Sequence, residues 1–235
     1  MKSIGVAVIP AKGNSIGLEN KSLQTVGGRT LLERTIEQAK LAERIDQVFV
    51  VTEDEKIANL SKKHGATVFP CSPEMSDNKT MVWEKVRLVA ESFKDCRGGI
   101  VPVFAEIHPT YPFRTPQLID NTINFLEERD DADGVLVGSY LFDRVWRNTI
   151  GGRLATGIEI KQRQEQVPLF IDHYGLCNVF RRRLALTGNP YNGKLYLYTC
   201  NHKRQLQDID NIEDLRICQA IARDGVNSKT FPDFL

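Results

Sequence analysis

The sequence predicts an α/β fold with a doubly wound, mostly parallel open sheet. Strand-like and helix-like patterns alternate over the first 140 residues, beginning with the continuous apolar run at 4–9. Such runs are expected for strands buried on both faces, and strand–helix–strand alternation implies parallel pairing with right-handed crossovers. Ligands of such sheets bind beyond the carboxyl ends of the strands. The segments that follow residues 9, 52, 107 and 140 are therefore the first candidates for a functional site.

The other elements follow from periodicity and from turn residues. Thr30 stands three residues before Glu33, the spacing of a capping box, so a helix is expected to begin there. Pro102 interrupts one strand-like run, and because proline cannot donate to a ladder we expect a bulge or an unpaired side at that point. Further strands are predicted at 47–52, 66–69, 99–107, 134–140, 176–180 and 194–198, and further helices at 54–64, 82–93, after Thr115-Pro116 and at 211–223 with Asn211 as its cap.

The length fits one domain that covers residues 1–235. The segment at 141–173 breaks the alternation, because it is polar, rich in Arg and Gln, and also contains Phe142 and Trp146. We interpret it as a small excursion from the sheet. Its aromatic and arginine content favours a dimerisation arm that packs on a partner subunit, or a lid over the substrate.

Composition excludes several classes of protein. The net charge of +1 provides no broad field toward nucleic acid or a membrane, and no run approaches the ~18 apolar residues that a membrane helix needs. The apolar run at 4–9 is too short for a secretory signal. The five cysteines form no CxxC pair, and no two Cys or His have zinc-ligand spacing. Reduced thiols in a cytoplasmic protein are expected.

The segment at 10–21 has the residues that a triphosphate site needs. It follows a buried strand and contains Gly13, Gly17, Ser15 and two lysines, Lys12 and Lys21. Glycine lets backbone N–H groups approach phosphate oxygens, and lysines neutralise their charge. The segment matches neither the Walker A pattern nor GxGxxG. An ordinary loop with solvated lysines is the alternative.

Asp208 and Asp210 form the second candidate site. They lie two residues apart, so in an extended segment both carboxylates face the same side. Hard oxygen ligands of this kind suit Mg²⁺, which keeps several waters and bridges to phosphate. The alternative is a helix cap followed by a charge in the first turn of the last helix.

Four segments carry a family resemblance. Residues 9–23, 108–115, 163–164 and 208–215 read IPAKGNSIGLENKSL, HPTYPFRT, RQ and DIDNIEDL. In the same order they resemble I-P-A-R-G-G-S-K-x-x-x-x-K-N, Q-P-T-S-P-L-R-T, R-R-Q and D-I-D-T-P-E-D-L. These are the signatures of the cytidylyltransferases that activate acidic sugars, namely the N-acylneuraminate cytidylyltransferases and their ulosonate relatives.

The resemblance implies a Rossmann-like nucleotidyltransferase that converts CTP and an acidic sugar into CMP-sugar and pyrophosphate, with Mg²⁺ as cofactor and a homodimer as the assembly. It implies that Lys21 contacts the phosphates, that Lys12 stabilises the leaving pyrophosphate and that Arg163 pairs with the sugar carboxylate. The implied nucleotide-binding residues are Ala11, Lys12, Gly13, Asn14, Ser15, Lys21 and Ser22; the implied sugar-binding residues are His108, Arg114, Arg163, Gln164 and Tyr174; and the implied metal ligands are Asp208 and Asp210.

Besides Lys12 and Ser22, which replace an arginine and an asparagine of the first signature, three departures from the family pattern bear on the base and the acceptor. Ser72 replaces an arginine that helps to read the base, His108 replaces a glutamine that faces the sugar, and Tyr174 replaces an asparagine. The acceptor therefore stays open between a nine-carbon sialic-type acid, an eight-carbon ulosonate, and a phosphonate or other acidic acceptor.

Two other functions compete with this interpretation. Glycosyltransferases of similar architecture also use an Asp-x-Asp metal motif, but here the motif is late in the chain, and Lys12 and Lys21 favour an intact triphosphate over a nucleotide sugar. The second is a non-catalytic nucleotide-binding or sugar-binding homologue, to which the departures at 72, 108 and 174 point.

Overall fold

The computed structural model describes residues 5–15, 17–76, 81–93, 102–142, 147–148, 154–155 and 168–227. Its strands are β1 (Gly5–Pro10), β2 (Thr25–Val26), β3 (Arg29–Thr30), β4 (Gln47–Thr52), β5 (Thr67–Pro70), β6 (Val103–Glu106), β7 (Gly134–Leu141), β8 (Arg147–Asn148), β9 (Leu154–Ala155), β10 (Leu169–Asp172), β11 (Asn178–Arg181) and β12 (Leu195–Thr199). Its α-helices are α1 (Leu31–Leu41), α2 (Glu55–Lys63), α3 (Trp83–Ser92), α4 (Pro116–Glu127), α5 (Arg182–Ala185) and α6 (Ile212–Asn227), and short 3-10 turns occupy Lys21–Leu23, Pro73–Ser76 and Pro190–Asn192.

Eight of the described strands form the main sheet. β5, β4, β1 and β6 lie side by side and pair in parallel. β11 pairs antiparallel with both β6 and β7, while β7 pairs antiparallel with β10 and parallel with β12. The predicted mostly parallel sheet is confirmed, and its antiparallel members lie beyond β6.

Helices cover both faces of this sheet. Alternate residues of β1 enter two different cores: Ala7 packs in one core with α1 and α4, and Val8 packs in the other with α3 and α5. Because successive side chains of a strand point to opposite faces, the two cores lie on opposite sides of the sheet. This arrangement is the doubly wound fold that the sequence predicts.

The predicted helix starts are confirmed by their caps. Thr30 and Glu33 form the reciprocal capping box at the start of α1. The Asp54 carboxylate accepts the Ile57 N–H at the start of α2, and Thr115 caps α4 ahead of Pro116. Each cap satisfies backbone donors that the first helical turn leaves without a partner.

A third, smaller core lies under the start of α6. It contains Ile209, Phe113, Leu215 and Leu31. Asn211 caps the helix, since its side-chain oxygen accepts the N–H groups of residues 213 and 214 at 2.8 and 3.1 Å. The predicted cap is confirmed, and the packing of Ile209 fixes the short segment that carries the two acidic candidates.

The ends of some elements differ from the sequence prediction. β6 begins at Val103, just after Pro102, and residues 99–101 of the predicted strand lie outside the described residues, so the bulge at Pro102 stays a prediction. The strand predicted from residue 176 begins only at Asn178, because Gly175 adopts φ +81° and turns the chain first. α6 also continues past 223, to Asn227.

The predicted excursion at 141–173 lies largely outside the described residues. At its two ends, β7 and β10 pair with each other, with Leu141 opposite Leu169. Between them, the described pieces are the antiparallel pair β8 and β9. The role of this segment as an arm or a lid stays a prediction. No helix within the described ranges is long and apolar enough to cross a membrane.

Replacing Thr30 with alanine removes the side-chain half of the capping box. We expect Thr30→Ala to lower the free energy of unfolding by about 1 kcal/mol, the usual cost of losing an N-cap. Thr30→Ser keeps the oxygen and is the matched control, with stability close to the original. Urea unfolding measures both variants, and equal stability of Thr30→Ala and the original protein would contradict the assigned cap.

Candidate active site

A cleft of about 260 Å³ opens at the carboxyl ends of β1 and β6. It lies where the topology predicts a ligand, because loops from the parallel strands meet at this edge of the sheet. Its walls come from the loop after β1, the turn after β6, and the start of α3. The lining residues are Pro10, Lys12, Ser15, Lys21, Ser22, Ser76, Val82, Lys85, His108, Pro109 and Thr110.

The two candidate sites of the sequence meet in this region. The Lys21 ammonium donates to the Asp210 carboxylate at 2.9 Å, although the residues are 189 positions apart. The backbone also approaches closely, because a Cβ at Gly17 would lie 2.4 Å from the Asp210 carbonyl oxygen. The loop after β1 and the segment before α6 therefore form one site, with glycine required at the contact.

The loop amides behave differently from the prediction. The Ala11 N–H donates to the Val51 carbonyl, and the Gly13 N–H donates to the Glu53 carboxylate at 2.8 Å. These two amides hold the loop against the end of β4. The sequence predicted that the loop amides would bind phosphate oxygens, but these two already donate to protein acceptors. Gly13 is needed for a close approach, since a Cβ there would lie 2.5 Å from a carboxylate oxygen of Asp54.

The other predicted loop residues are divided between cleft and solvent. Lys12, Ser15, Lys21 and Ser22 line the cleft, with Ser22 buried in the turn that carries Lys21. Asn14 is exposed. The phosphate-binding side chains predicted from the sequence thus share one wall.

Asp208 lies deeper than Asp210. Its Oδ1 atom is buried and has no hydrogen-bond partner. Burial raises the pKa of Asp208 above its usual value, and the neighbouring charge of Asp210 adds to this rise. The Ile209 N–H, between the two acids, donates to the Thr110 carbonyl and ties the segment to the turn after β6.

The acidic pair fits a divalent cation that prefers oxygen ligands. A buried carboxylate oxygen without a hydrogen-bond partner, beside a second carboxylate, provides the kind of oxygen ligand that such an ion prefers. Within the described ranges there is no group of three or more His, Cys, Asp or Glu side chains that could hold a metal. An ion here would therefore share its remaining positions with phosphate oxygens and water, as Mg²⁺ does.

His108 stands at the opposite wall of the cleft. Its Nε2 lies 2.7 Å from Oε1 of Glu106, whose side chain is fully buried. The backbone of Gly175 packs against the imidazole so tightly that a Cβ would lie 2.2 Å from Nδ1. His108 is therefore fixed in orientation by two neighbours.

Tyr174 lies behind His108 and outside the lining of the cleft. Its ring contacts His108 and Trp83, with centroids 5.0 and 5.1 Å apart. Its hydroxyl is buried without a hydrogen-bond partner, and burial raises the pKa of Tyr174, with the charge of Glu106 adding to the rise. A direct contact of Tyr174 with a ligand in the cleft would require rearrangement.

Arg114 is buried and holds backbone together. Its Nη2 donates to the carbonyls of His108 at 2.6 Å and Gly175 at 3.1 Å, and its Nε donates to the Leu176 carbonyl. Burial lowers the pKa of Arg114 to about 10. With its guanidinium enclosed by carbonyls, Arg114 supports the site from behind, and its predicted contact with a sugar stays a prediction.

Arg163 and Gln164 lie outside the described residues, so their predicted contacts with a sugar stay predictions. Sequence reasoning also missed two polar residues near the cleft, Lys85 and Glu53. Lys85 had a visible signal, because it interrupts the apolar face formed by Val82, Val86 and Val89. Glu53 carries no such signal, since its contacts depend on the fold.

The fold and the cleft define a doubly wound α/β protein with a candidate ligand site at the carboxyl edge of its sheet, and comparison with known proteins makes this more specific. Residues 6–168 match the model of the cytidylyltransferase family. Because the match covers more than half of the chain, the protein belongs to the cytidylyltransferase family.

Individual relatives agree with this membership. The chain is 28% identical over 131 residues to a 3-deoxy-manno-octulosonate cytidylyltransferase of Zea mays, covering 56% of this chain and 41% of that protein. It is 30% identical over 114 residues to an N-acylneuraminate cytidylyltransferase of Escherichia coli, covering 48% and 26%. The first relatives are thus matched over less than half of their own length.

A longer alignment is found with an 8-amino-3,8-dideoxy-manno-octulosonate cytidylyltransferase of Shewanella, 23% identical over 225 residues, which cover 90% of this chain and 84% of that protein. Among solved structures, a CMP:2-keto-3-deoxy-manno-octonic acid synthetase in complex with CTP superposes with a TM-score of 0.69 at 13% identity, covering 95% of this chain and all of that chain. At this identity the likeness shows the shared fold.

Arg114→Met tests the supporting role of the guanidinium. We expect the variant to lose about 3 kcal/mol or more of unfolding free energy, because several buried carbonyls lose their donor. Arg223→Met, on the exposed side of α6, is the matched control and should leave stability unchanged. Urea unfolding with a far-UV signal measures both variants. An Arg114→Met protein as stable as the original would show that the guanidinium is dispensable for folding.

Proposed function

We propose that this protein transfers the cytidylyl group of CTP to a hydroxyl of an acidic sugar and releases pyrophosphate. The observation that carries the proposal is the contact of Lys21 with Asp210 at 2.9 Å, which joins the candidate phosphate loop to the candidate metal ligands. Sugars of the 3-deoxy-ulosonate or sialic acid class are the proposed acceptors, because relatives named for both classes match this chain.

The reaction requires positioning and charge neutralisation. The sugar oxygen forms a bond to the α-phosphorus while the bond from that phosphorus to the β-phosphate oxygen breaks. Negative charge then grows on the departing pyrophosphate. Lys12 and Lys21 line the cleft from one loop and are placed to stabilise that charge, which is the usual role of preorganised cations at phosphoryl groups.

Asp208 and Asp210 are the proposed ligands of Mg²⁺. When bound, the ion supplies Lewis-acid polarisation of the phosphate and favours loss of the proton from the attacking hydroxyl. Asp208 and Asp210 would hold the ion on a segment that is itself fixed, because the Ile209 N–H between them donates to the Thr110 carbonyl.

The acceptor sugar is proposed to lie beside His108. The imidazole lines the cleft and is held by Glu106, so it presents a fixed surface to the sugar. Arg163 and Gln164 are proposed to complete this side, with the Arg163 guanidinium pairing with the sugar carboxylate. The fixed imidazole of His108 supports an acceptor site on this side of the cleft. The assay described below distinguishes among the acidic sugars.

A pyrophosphate-release screen tests the proposed reaction. Four nucleoside triphosphates are combined with a panel of ulosonates, sialic acids and phosphonates, with Mg²⁺ and after chelation. We expect release with CTP and one class of acidic sugar, and loss of activity after chelation that added Mg²⁺ restores. Nucleotide binding without turnover on any acceptor would favour a non-catalytic homologue, and turnover of a nucleotide sugar would favour a glycosyltransferase.

Lys21→Ala and Asp210→Ala are each expected to lower kcat by about 10²-fold, the scale of losing one electrostatic stabiliser. The exposed residues Lys56 and Asp224 offer matched charge changes. Lys56→Ala and Asp224→Ala should keep the original rate. Steady-state pyrophosphate release measures all four proteins, and a near-original rate for Asp210→Ala would oppose its role beside the metal.

The homodimer is proposed on exposed apolar side chains at the base of the excursion, which lie on both faces of the β7–β10 pair. Tyr140, Phe142, Leu169 and Ile171 are all exposed by about 40% or more of their surface at the ends of β7 and β10. Aromatic and aliphatic side chains of this kind are typical of interface cores. Light scattering at micromolar concentration should give twice the chain mass, whereas a monomer would contradict the proposal.

A cytoplasmic location is also proposed. The described cysteines Cys71, Cys177, Cys200 and Cys218 are free thiols, which supports a reducing compartment. Recovery of the protein in an exported fraction of the cell would oppose this location.

A further inference from the structure

One buried ammonium in the cleft has no role in the proposed phosphate chemistry. Lys85 lies in the first turn of α3, and only 5% of its surface is exposed. Its side chain nevertheless lines the cleft. A buried ammonium is costly unless it finds partners, so its place in a ligand cleft points to a ligand that accepts hydrogen bonds.

The position of Lys85 follows from the layout of the cleft, and this step rests on the proposed function. The acidic pair and His108 belong to the side of β6, where the Ile209 N–H donates to the Thr110 carbonyl. If the α-phosphate and the acceptor lie there, the nucleoside must extend to the other side, toward the ends of β4 and β5. Lys85 lies on that side, within electrostatic range of Cys71, Glu53 and Lys12.

Glu53 supplies a fixed acceptor at the same place. Its Oε1 accepts the Gly13 N–H at 2.8 Å, and its Oε2 accepts the Ser76 hydroxyl at 2.5 Å. Each carboxylate oxygen can accept more than one hydrogen bond, so capacity remains for a ligand. Glu53 is not itself a lining residue, but it holds the hydroxyl of Ser76, which lines the cleft together with Lys85. A carboxylate, which only accepts, therefore lies behind Ser76 at the end of the cleft where the Lys85 ammonium, which only donates, is found.

We propose that Lys85 and Glu53 read the Watson–Crick edge of the cytosine base. Cytosine carries an amino group at C4, which donates, and acceptors at N3 and O2. A carboxylate accepts from the cytosine amino group, as acidic side chains do elsewhere, and an ammonium donates to N3. Uracil places an oxygen at C4 and a hydrogen on N3, so each group of the pair would face a group of its own kind.

The inference is tested by binding and by turnover with CTP and UTP. Lys85→Met keeps the length of the side chain and removes the ammonium. We expect its affinity for CTP to fall by about 10- to 100-fold, the scale of a hydrogen bond to a charged group, while its weaker affinity for UTP stays the same or improves. Isothermal titration with each nucleotide and Mg²⁺, without any sugar, gives the ratio directly.

Glu53→Gln is the second variant. Its amide can donate to the C4 oxygen of uracil, so we expect the preference for CTP over UTP to shrink through a gain for UTP. Lys12→Met is the comparison within the cleft, and it should weaken both nucleotides alike because it removes a phosphate contact. Lys56→Met is the exposed control and should change neither affinity. Thermal melting checks that each variant is folded.

Equal losses for CTP and UTP in Lys85→Met would overturn the inference and place the ammonium on the phosphates. An unchanged ratio in both Lys85→Met and Glu53→Gln would overturn it as well. The outcome is separable from the proposed function. The ratio of CTP to UTP affinity is measured without an acceptor sugar, so it can be determined even if no sugar supports turnover. If the Lys85→Met protein still transfers the cytidylyl group and keeps the original preference for CTP over UTP, only the base-reading role is rejected.

Discussion

The candidate site depends on the contact between the loop after β1 and the segment before α6. The ion pair of Lys21 with Asp210 lies at this contact. An ion pair this exposed contributes little to stability, typically below about 1 kcal/mol, since the Asp210 side chain is 74% exposed. The pair is therefore held in place by its surroundings. What brings the segments together is the packing of Ile209 in the small core under α6 and the close contact of Gly17 with the Asp210 carbonyl.

The start of α6 completes this arrangement. The Asp214 carboxylate accepts the N–H groups of Asp210 and Asn211 at 2.9 and 3.1 Å. The side-chain oxygen of Asn211 in turn accepts the N–H groups of residues 213 and 214 and caps the helix. The acidic segment is thus anchored from three directions: by a hydrophobic core, by the turn after β6 and by a helix cap. Such support is what a functional constellation requires, because a side chain on an unsupported loop would not keep its geometry.

The fold was predictable from the sequence because its signals are local. The capping box at Thr30 and the cap at Asp54 depend on residues three positions apart, and the buried strand at 4–9 depends on its own composition. The meeting of Lys21 with Asp210 was expected from a different source, the family resemblance, which implies a phosphate-binding lysine and metal-binding aspartates in one site. Topology accounts only for the place of the Lys21 loop, which follows the carboxyl end of β1.

The supporting contacts could not be predicted, because they join residues whose proximity is a product of the fold. Nothing local indicates that the Gly13 amide donates to Glu53, or that the guanidinium of Arg114 collects carbonyls from two separate turns. The bulge expected at Pro102 stays a prediction, because residues 99–101 of that run lie outside the described part of the chain. The burial of the Lys85 side chain could be partly predicted from the sequence, because this lysine lies on the otherwise apolar face of α3.

Arg114 connects the turn at His108 to the turn at Gly175, and this connection limits how the acceptor specificity of the protein can change during evolution. One guanidinium ties the backbone at His108 to the backbone at Gly175 and Leu176, and Gly175 leaves no room for a side chain against the imidazole. A change in the backbone of one turn would therefore have to be accompanied by a change in the other. New acceptor preferences would have to arise by exchanging side chains upon this frame, such as at 108 or 174, because remodelling either backbone alone would break the other.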